Sequence, residues 1–169
     1  MWRDWLPRVP SLLGLFPIAW CAAALALPQD AEQPIHIRAD AAEMDQTSDQ
    51  IIYQGAVRVD QGTLRVDADR ITVQYENQKV VRIVAEGGPA SYRQEVENPA
   101  GEVVAQATTI IYLTRDERLE LQGSASLSQL GNEISGEKIL YDMVAGKVEA
   151  VSGEGGSVRM VLQPASRPR

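Results

Sequence analysis

The feature that most constrains this chain is a change of phase in an apolar alternation within residues 55–73, GAVRVDQGTLRVDADRITV. Apolar and polar residues alternate up to Gln61-Gly62, and the alternation resumes with Leu64 and Val66. A period of two predicts strands with one dry and one wet face, and the glycine predicts a hairpin turn between them. At Asp69-Arg70 the alternation shifts by one residue, because Ile71 is the next apolar position. A straight strand would then expose its apolar side chains, so we predict a bend or turn here.

Similar units recur along the chain, and they predict an all-β fold. No window of about a dozen residues has apolar positions at the helical spacing of 3.6. Short strands at this spacing are typical of a sandwich, a roll or a solenoid. A second phase shift falls at Gly136-Glu137. Four units open with Ile37, Val66, Val103 and Ile134, which are 29, 37 and 31 residues apart, and later reach Gly55, Gly87, Gly123 and Gly153. This loose repeat favours stacked β-coils or a rolled sheet in one domain.

The first 26 residues are predicted to be a cleaved signal peptide. Arg3 and Arg8 precede an apolar run over residues 11–24, and Ala24-Leu25-Ala26 fits a cleavage site. The alternative is an uncleaved anchor, but the run is shorter than the ~20 residues that a spanning helix needs. Trp20 before Cys21 argues against a lipoprotein signal. We expect residues 27–163 to form the domain and residues 164–169 to form a flexible tail.

The composition that remains after cleavage argues against catalysis and against nucleic acid. The sole cysteine and all three tryptophans lie in the leader, which leaves 14 basic and 22 acidic residues and a net charge of −8. So acidic a chain is a poor partner for nucleic acid or for an anionic membrane. His36 is the sole histidine, so a metal or nucleophile site is not expected. Asp67 and Asp69 have the spacing of a glycosidase pair, but they lie in a charged row with Arg65. We therefore expect no cofactor, no metal and no enzymatic activity.

Several segments, in order, resemble the LptA/OstA-like periplasmic lipopolysaccharide-transport proteins. Each is weak alone, but together they span nearly the whole chain after the leader. They are residues 33–37 (QPIHI), 55–63 (GAVRVDQGT), 68–69 (AD), 123–129 (GSASLSQ), 132–139 (NEISGEKI) and 158–164 (VRMVLQP). The chain departs from the family in its aromatic residues, since after the leader it has no phenylalanine and five tyrosines.

The resemblance implies a fold and a role. The fold is a rolled antiparallel sheet, a β-jellyroll or β-taco, of about sixteen short strands in two facing layers open at both ends. In the family, lipid acyl chains lie between the layers, and units line up edge to edge to bridge the inner and outer membranes. The N-terminal edge meets an anchored LptC-type protein, and the C-terminal edge meets the N-terminal domain of an LptD-type outer-membrane protein. The expected location is therefore the periplasm.

The apolar, inward-facing set is the expected lining of the lipid groove. It comprises Ile37, Val57, Val59, Leu64, Val66, Ile71, Val73, Ile83, Tyr112, Leu119, Leu121, Leu127, Ile134, Ile139, Tyr141, Val158 and Met160. The expected assembly edges are an N-terminal strand with Ile35, Ile37 and Ala39, and a C-terminal strand with Val158, Met160 and Leu162. Besides lipopolysaccharide and the LptC-type and LptD-type proteins, a further copy of the chain, added head to tail, is an expected partner.

Other interpretations remain open at this point. Alternation reports burial and not a ligand, so the same residues are also consistent with an ordinary core. On that basis the chain is a structural or adhesive β-roll. Alternatively, it is an LptC-like subunit held by an uncleaved anchor. A carbohydrate-binding module would need aromatic platforms, which five scattered tyrosines do not favour.

Overall fold

A computed structural model shows a single antiparallel sheet of ten strands. It describes residue 30 and residues 33–45, 47–97 and 100–164. The predicted leader and residues 165–169 of the predicted tail lie outside the described residues. The strands are β1 (His36–Arg38), β2 (Ala41–Asp45), β3 (Gln50–Gln61), β4 (Leu64–Glu76), β5 (Lys79–Glu97), β6 (Ala100–Leu113), β7 (Arg118–Gln129), β8 (Asn132–Asp142), β9 (Lys147–Val151) and β10 (Arg159–Val161).

The sheet follows the chain, because each of β3 to β8 pairs with the next strand. The hairpin between β3 and β4 forms where the sequence predicts it, with Gln61 opposite Leu64 and Gly62 at a φ of +58°. At one margin β1 and β2 both pair with β3, and at the other β9 and β10 both pair with β8. At each margin, therefore, two short strands pair with the two end portions of one long strand.

Every long strand bends at the same level, and we call this level the corner line. Register shifts fall at each pairing from β3 to β8. The residues at the corner line are 55–56 in β3, 68–69 in β4, 87–89 in β5, 107–108 in β6, 123–124 in β7 and 136–137 in β8. Both predicted phase shifts, at Asp69-Arg70 and at Gly136-Glu137, lie on it. An extra residue in one strand of a pair bends the ladder and lets the apolar parity change without exposing the apolar face.

The corner line divides the sheet into two halves that share one core. We call them the β1 half, which contains β1 and β10, and the β2 half, which contains β2 and β9. The buried cluster includes Val57 and Leu127 from the β1 half together with Ile71, Leu121 and Ile139 from the β2 half. The sheet is thus folded over so that its single apolar face covers itself, as the rolled-sheet prediction requires.

About sixteen short strands were expected, and the sheet has ten strands. The two numbers agree once each strand that crosses the corner line is counted as two segments. Six of the ten strands, β3 to β8, cross it and supply two straight segments each, while the four marginal strands supply one each. The sixteen segments therefore belong to ten strands. The alternation also predicts separate strands before and after Gly87-Gly88-Pro89, and separate strands over residues 103–107 and 110–113. In the structure each pair is one strand, β5 or β6, with a register shift at the predicted break. The repeat also needs correction, because the third unit meets the corner at Ala107-Thr108, two residues later than the alignment on Val103 implies.

Glycine has a specific role at two corner positions. Gly55 has a φ of +81°, and an added Cβ would lie 2.2 Å from a carboxylate oxygen of Asp40. Gly123 has a φ of +80°, and an added Cβ would lie 2.7 Å from Thr108 Oγ1. Both positions combine a left-handed backbone with a close neighbour, Asp40 from the link between β1 and β2 at Gly55 and Thr108 of β6 at Gly123, so only glycine fits without strain.

Opposite substitutions at two adjacent residues test the assignment of faces. Val66 packs against the core, whereas Asp67 lies on the outer face, where its Oδ1 accepts a hydrogen bond from Arg58 Nε at 2.6 Å. Val66→Asp places an unpaired charge among apolar groups and is expected to cost several kcal/mol of unfolding free energy. Asp67→Lys removes one exposed ion pair and is expected to change stability little.

Chemical denaturation of the two variants and of the unsubstituted protein measures both effects. The face assignment is wrong if Asp67→Lys unfolds the domain while Val66→Asp leaves its midpoint unchanged.

Candidate lipid-binding groove

The interior of the β2 half is built from two rows of inward-facing side chains. Each row takes one residue from every strand that the register aligns. The row nearer the corner consists of Ala42, Tyr53, Ile71, Ala85, Ile110, Leu121, Ile139 and Ala150, and the next consists of Met44, Ile51, Val73, Ile83, Tyr112, Leu119, Tyr141 and Val148. The rows run perpendicular to the strands, so the apolar surface is continuous from one margin of the sheet to the other.

The β1 half contributes a matching row that also reaches both margins. It consists of Ile37, Val59, Val66, Tyr92, Ala105, Leu127, Ile134 and Met160. Ile37 stands in the N-terminal edge strand and Met160 in the C-terminal one. An apolar channel between the halves would therefore begin and end at the two free edges.

Small side chains line the inner side of the corner. Ala68, Ala90, Ala107 and Ala125 are all buried there, and Gly136 continues the row. Side chains from the two halves converge on the concave side of a sharp bend, so large residues would not fit. The large apolar residues accordingly lie further from the corner.

The sequence-predicted lining residues fall into three groups by exposure. The buried group is Val57, Ile71, Val73, Leu119, Leu121, Leu127 and Ile139. The half-buried group is Ile37, Val59, Leu64, Val66, Ile83, Tyr112, Ile134 and Tyr141. The exposed group is Val158 and Met160, at 41% and 57%. All but Leu64 and Val158 belong to the core cluster or to the rows above, and their contact with lipid stays a prediction.

The centre of the interior is filled by the protein's own side chains. Leu121 and Ile139 are 0% exposed, and Ile71 and Leu119 are 1% exposed. Protein interiors are packed as densely as organic crystals, so a filled centre leaves no room for an acyl chain. Lipid could therefore enter between the halves only if they move apart or if these side chains repack.

Tyrosines supply the aromatic part of the interior and remain uncharged there. Burial raises the pKa of Tyr92, and the nearby Tyr112 and Tyr141 raise it further. Burial also raises the pKa of Tyr53, Tyr112 and Tyr141. Four hydroxyl-bearing rings therefore face the interior in the neutral state, where they add apolar surface without a charge.

A buried polar cluster closes the end of the β1 half, beside the β3–β4 turn. Asp30 is 5% exposed, and its Oδ1 accepts a hydrogen bond from Thr63 N at 2.8 Å. Its Oδ2 accepts hydrogen bonds from Thr63 Oγ1 and from Gln94 Nε2. Gln94 Oε1 in turn accepts a hydrogen bond from the Tyr92 hydroxyl. The cluster ties the segment before β1 to β5 and reaches into the apolar row.

Exposed apolar side chains are concentrated at the C-terminal margin. Val148 and Met160 end the inward rows, and no further strand in the described part of the chain covers them. Among the described residues, ten large apolar ones are exposed and seven of these lie in or beside β9 and β10; they are Val144, Val148, Val151, Val158, Met160, Val161 and Leu162. The N-terminal margin has two, Ile35 and Met44, at 59% and 63%. Within the described ranges no strand pairs with the outer side of either margin, and the C-terminal margin is the more apolar.

The expected edge strands are shorter than the sequence suggested. β1 begins after Ile35 and ends before Ala39, and β10 excludes Val158 and Leu162. Ala39 and Val158 are excluded because the chain meets the corner line there, whereas Ile35 and Leu162 lie beyond the far end of the pairing with β3 and β8. The partner strands β2 and β9 continue the two margins beside the β2 half.

Sequence reasoning missed two parts of this interior. The alanines Ala85, Ala90, Ala105, Ala107 and Ala125 are all buried, but alanine is too weakly apolar to stand out in an alternation. The available signal was that each lies two residues from another inward-facing apolar residue, as Ala85 does from Ile83 and Ala125 from Leu127. Asp30 and Gln94 were missed because their pairing joins residues 64 positions apart in sequence, for which no local pattern exists.

Other kinds of site find little support in the described ranges. Across them, no three His, Cys, Asp or Glu side chains converge as a metal-binding group. No helix in the part of the chain that the structure describes is long and apolar enough to cross a membrane.

Comparison with known proteins identifies the family. A family model described as "LptA/(LptD N-terminal domain) LPS transport protein" matches residues 36–147, from β1 to the start of β9. This chain belongs to the LptA/LptD N-terminal domain family. The lipopolysaccharide export system protein LptH of Pseudomonas aeruginosa is 33% identical over 164 residues, which are 92% of this chain and 94% of that protein. LptA of Escherichia coli K12 is 32% identical over 143 residues, which are 83% and 77% of the two chains.

A solved structure of a family member agrees with the fold. The crystal structure of P. aeruginosa LptH, described as a periplasmic component of the lipopolysaccharide transport device, superposes with a TM-score of 0.71 and 33% identity. The match covers 81% of this chain and all of that one. The folded sheet is therefore the fold of the LptA family, and the resemblance noted in the sequence is confirmed.

The polar cluster at Asp30 predicts a dependence of stability on pH. Burial pushes the pKa of Asp30 upward, but the hydrogen bonds from Thr63 and Gln94 outweigh it and hold the pKa below its ordinary value. A carboxylate whose pKa is lowered by folding stabilises the folded state above its unfolded pKa of about 3.9 and loses that effect as the pH falls through the folded pKa. Asp30→Asn should therefore cost about 1 kcal/mol at neutral pH, which is the usual net contribution of a hydrogen bond to stability.

Thermal unfolding between pH 7 and pH 2.5 measures this dependence. The gap between the unsubstituted protein and Asp30→Asn should be constant above about pH 5 and should narrow below about pH 4. Thr63→Val, which removes one donor but keeps the charge, should give a smaller loss at neutral pH. A gap of the same size at every pH would contradict this role for Asp30.

Proposed function

We propose that this chain is a periplasmic protein that binds lipopolysaccharide and carries it between the inner and outer membranes during outer-membrane assembly. The observation that carries the proposal is the apolar interior whose rows run unbroken from Ile37 at one free edge to Met160 at the other. Membership of a lipopolysaccharide transport family supports it. In this proposal residues 1–26 are a cleaved signal peptide, residues 27–163 are the transport domain, and residues 164–169 are a tail.

The physical task is to shield acyl chains from water. Exposure costs ~0.8 kcal/mol per CH₂, so one twelve-carbon chain costs roughly 10 kcal/mol in water. An aliphatic interior removes most of this cost by burial alone, so the protein needs no enzymatic step and no cofactor. Because such contacts are non-directional, the lipid can also slide along the rows and leave at the far edge.

The charges on the outside fit this task. The interior rows contain no ionisable side chain except tyrosine, which burial keeps neutral. The outer face holds ion pairs such as Arg58 with Asp67 and Arg65 with Asp60, at 2.6 and 2.7 Å. With a net charge of −8 once residues 1–26 are removed, the chain offers no strong clamp for anionic sugar phosphates. In the proposed complex the phosphates therefore stay in water, outside the groove.

The two open margins are the proposed contacts with the rest of the machinery. Unpaired edge strands add a further strand unless a charge or proline blocks them, and neither β1 nor β10 has an inward charge or a proline. The N-terminal edge is proposed to meet an inner-membrane LptC-type protein, and the C-terminal edge an outer-membrane LptD-type protein. A second copy of the chain could add head to tail at the same edges, which would extend the groove.

Photo-crosslinking in living cells tests the groove. A photoreactive residue at Leu64, Tyr112 or Leu127, whose side chains point inward, is expected to capture lipopolysaccharide. The same group at Arg65 or Ser126, which face outward on neighbouring positions of the same strands, is the matched control and should capture none. Equal capture from both faces would indicate adsorption to the surface and would contradict the groove.

Sedimentation over a wide concentration range tests the edges. The protein without its leader is expected to form oligomers that grow with concentration. Removal of residues 158–169, or Met160→Pro, should weaken them because β10 loses its backbone pairing. Met160→Ala, which keeps the backbone N–H, is the control and should have a smaller effect. A strictly monomeric protein that is unchanged by truncation would rule out self-assembly through this edge.

A further inference from the structure

The direction of the strands determines how another strand can join the sheet. Each pairing from β1 through β3 to β8 and on to β10 is antiparallel, so β1 and β10 run in opposite directions. A second copy placed edge to edge, with its corner line continuing this one, would therefore form a regular antiparallel pair. β1 of one copy would lie against β10 of the other, and β2 against β9.

Register then fixes which outward-facing side chains meet. In the β1 half, Arg38 and Arg159 lie in the same row, which is the outward-facing row nearest the corner line. In the β2 half, Glu43 and Glu149 stand in one row, and Asp45 and Lys147 in another. A corner-matched contact between two copies would thus place arginine opposite arginine, glutamate opposite glutamate, and aspartate opposite lysine.

Two of these three pairs are repulsive, and the third is already engaged within each chain. Like charges directly opposite each other destabilise a strand pair. Asp45 Oδ1 accepts a hydrogen bond from Thr47 N at 2.8 Å, and its Oδ2 accepts one from Ser48 Oγ at 2.7 Å. Lys147 Nζ forms an ion pair with Glu149 of its own strand. The attractive pair would have to compete with these contacts. The ion pair between Lys147 and Glu149 also weakens the repulsion between Glu43 and Glu149, so the repulsion between Arg38 and Arg159 is the main charge effect that opposes the self-contact.

The C-terminal edge nevertheless has the composition of a binding surface. Its inward positions Val148 and Met160 are exposed, as are Val151, Val161 and Leu162. An exposed apolar edge of this kind favours strand addition and is a hazard if any strand can add. The exposed apolar positions favour the addition of a strand, and the charges beside them repel strands of like charge. Such a combination of attraction and repulsion is a recognised source of specificity.

We propose that the C-terminal edge, β9 with β10, is selective for a strand of a different protein that sets an acidic side chain opposite Arg159 and a basic side chain opposite Glu149. The same two charges disfavour a second copy of this chain. The inference rests on the proposed edge-to-edge bridge and specifies its partner. Two copies of the chain then associate through this edge only at high concentration, and the complementary strand of the other protein displaces the second copy.

Charge swaps that keep the net charge constant test this selectivity. The double variant Arg159→Glu/Glu149→Lys converts both repulsive pairs into attractive ones and should tighten self-association about tenfold or more in low salt. Arg38→Glu/Glu43→Lys also turns both repulsive pairs into attractive ones, but it changes only the N-terminal edge. This variant sets an acidic side chain opposite Arg159 and a basic one opposite Glu149, while the C-terminal edge keeps its own residues. The control is Arg93→Glu/Glu102→Lys, a swap on the outer face of β5 and β6 away from both edges.

Combination of the two edge swaps gives the decisive comparison. The variant with all four edge substitutions again sets like charges opposite each other, so its self-association should return to about that of the unsubstituted protein. Salt at 0.5 M should reduce the differences because it screens exposed charges. Sedimentation velocity gives the dissociation constants, and thermal unfolding verifies that every variant is folded.

Two results would overturn the inference. One is that neither edge swap associates more tightly than the control swap. The other is that the fourfold variant associates as tightly as the single-edge variants. Lipid capture from Leu127, measured on the same variants, keeps this separate from the proposed function. If lipopolysaccharide is captured but the charge swaps do not change self-association, the charge selectivity is wrong and the groove stands. If the protein without charge swaps captures no lipopolysaccharide, the groove itself is wrong.

Discussion

The bend that β3 to β8 share is the constraint on which the rest of this structure depends. A sheet with one apolar face must cover that face, and here the sheet covers it with its own other half. The bend is possible because extra residues in the ladder, with Gly55 and Gly123 in left-handed conformations, turn each strand without reversing its faces. Alanines on the concave side leave room for the two halves to meet. The interior is thus long, apolar and open at both margins.

Local pattern predicted the elements that depend on neighbouring residues. The turn at Gln61-Gly62 and the phase shifts at Asp69-Arg70 and Gly136-Glu137 were correct because parity and glycine act over a few residues. The divisions within β5 and β6 were wrong because a bulge and a loop give the same break in alternation. Whether the ladder continues is decided by hydrogen bonds to the adjacent strands, which a single segment does not encode.

The sequence predicted the candidate site only as far as it predicted which side chains are buried. The alternation identified Ile71, Leu119 and Ile139 as inward-facing, and the structure buries them. It could not identify the Asp30–Gln94 contact, which needs the folded sheet. Nor could it distinguish a core from a groove, because both require the same apolar faces. The exposed apolar margin at β9 and β10 is the structural feature that favours a groove, since an ordinary core would be closed there.

A filled interior and a transport role are compatible if the sheet opens. The corner line is a natural hinge, since both halves are continuous ladders and the irregular pairing lies between them. Repacking of aliphatic side chains and tyrosines against acyl chains would replace one set of apolar contacts by another. The edges, whose backbone groups already lack partners, would pass the lipid on to the next sheet.

The central claim is that acyl chains lie between the two halves, and a distance across the sheet tests it most directly. Glu102 and Asp116 are exposed and lie near opposite ends of β6, on either side of the corner line. Spin labels on cysteines at these positions, in the chain without its leader and hence without Cys21, report their separation by pulsed electron paramagnetic resonance. If acyl chains enter between the halves, lipopolysaccharide shifts the distance distribution as the halves open, whereas its deacylated polysaccharide does not. An identical distribution with saturating lipopolysaccharide bound would show that the acyl chains do not lie between the halves.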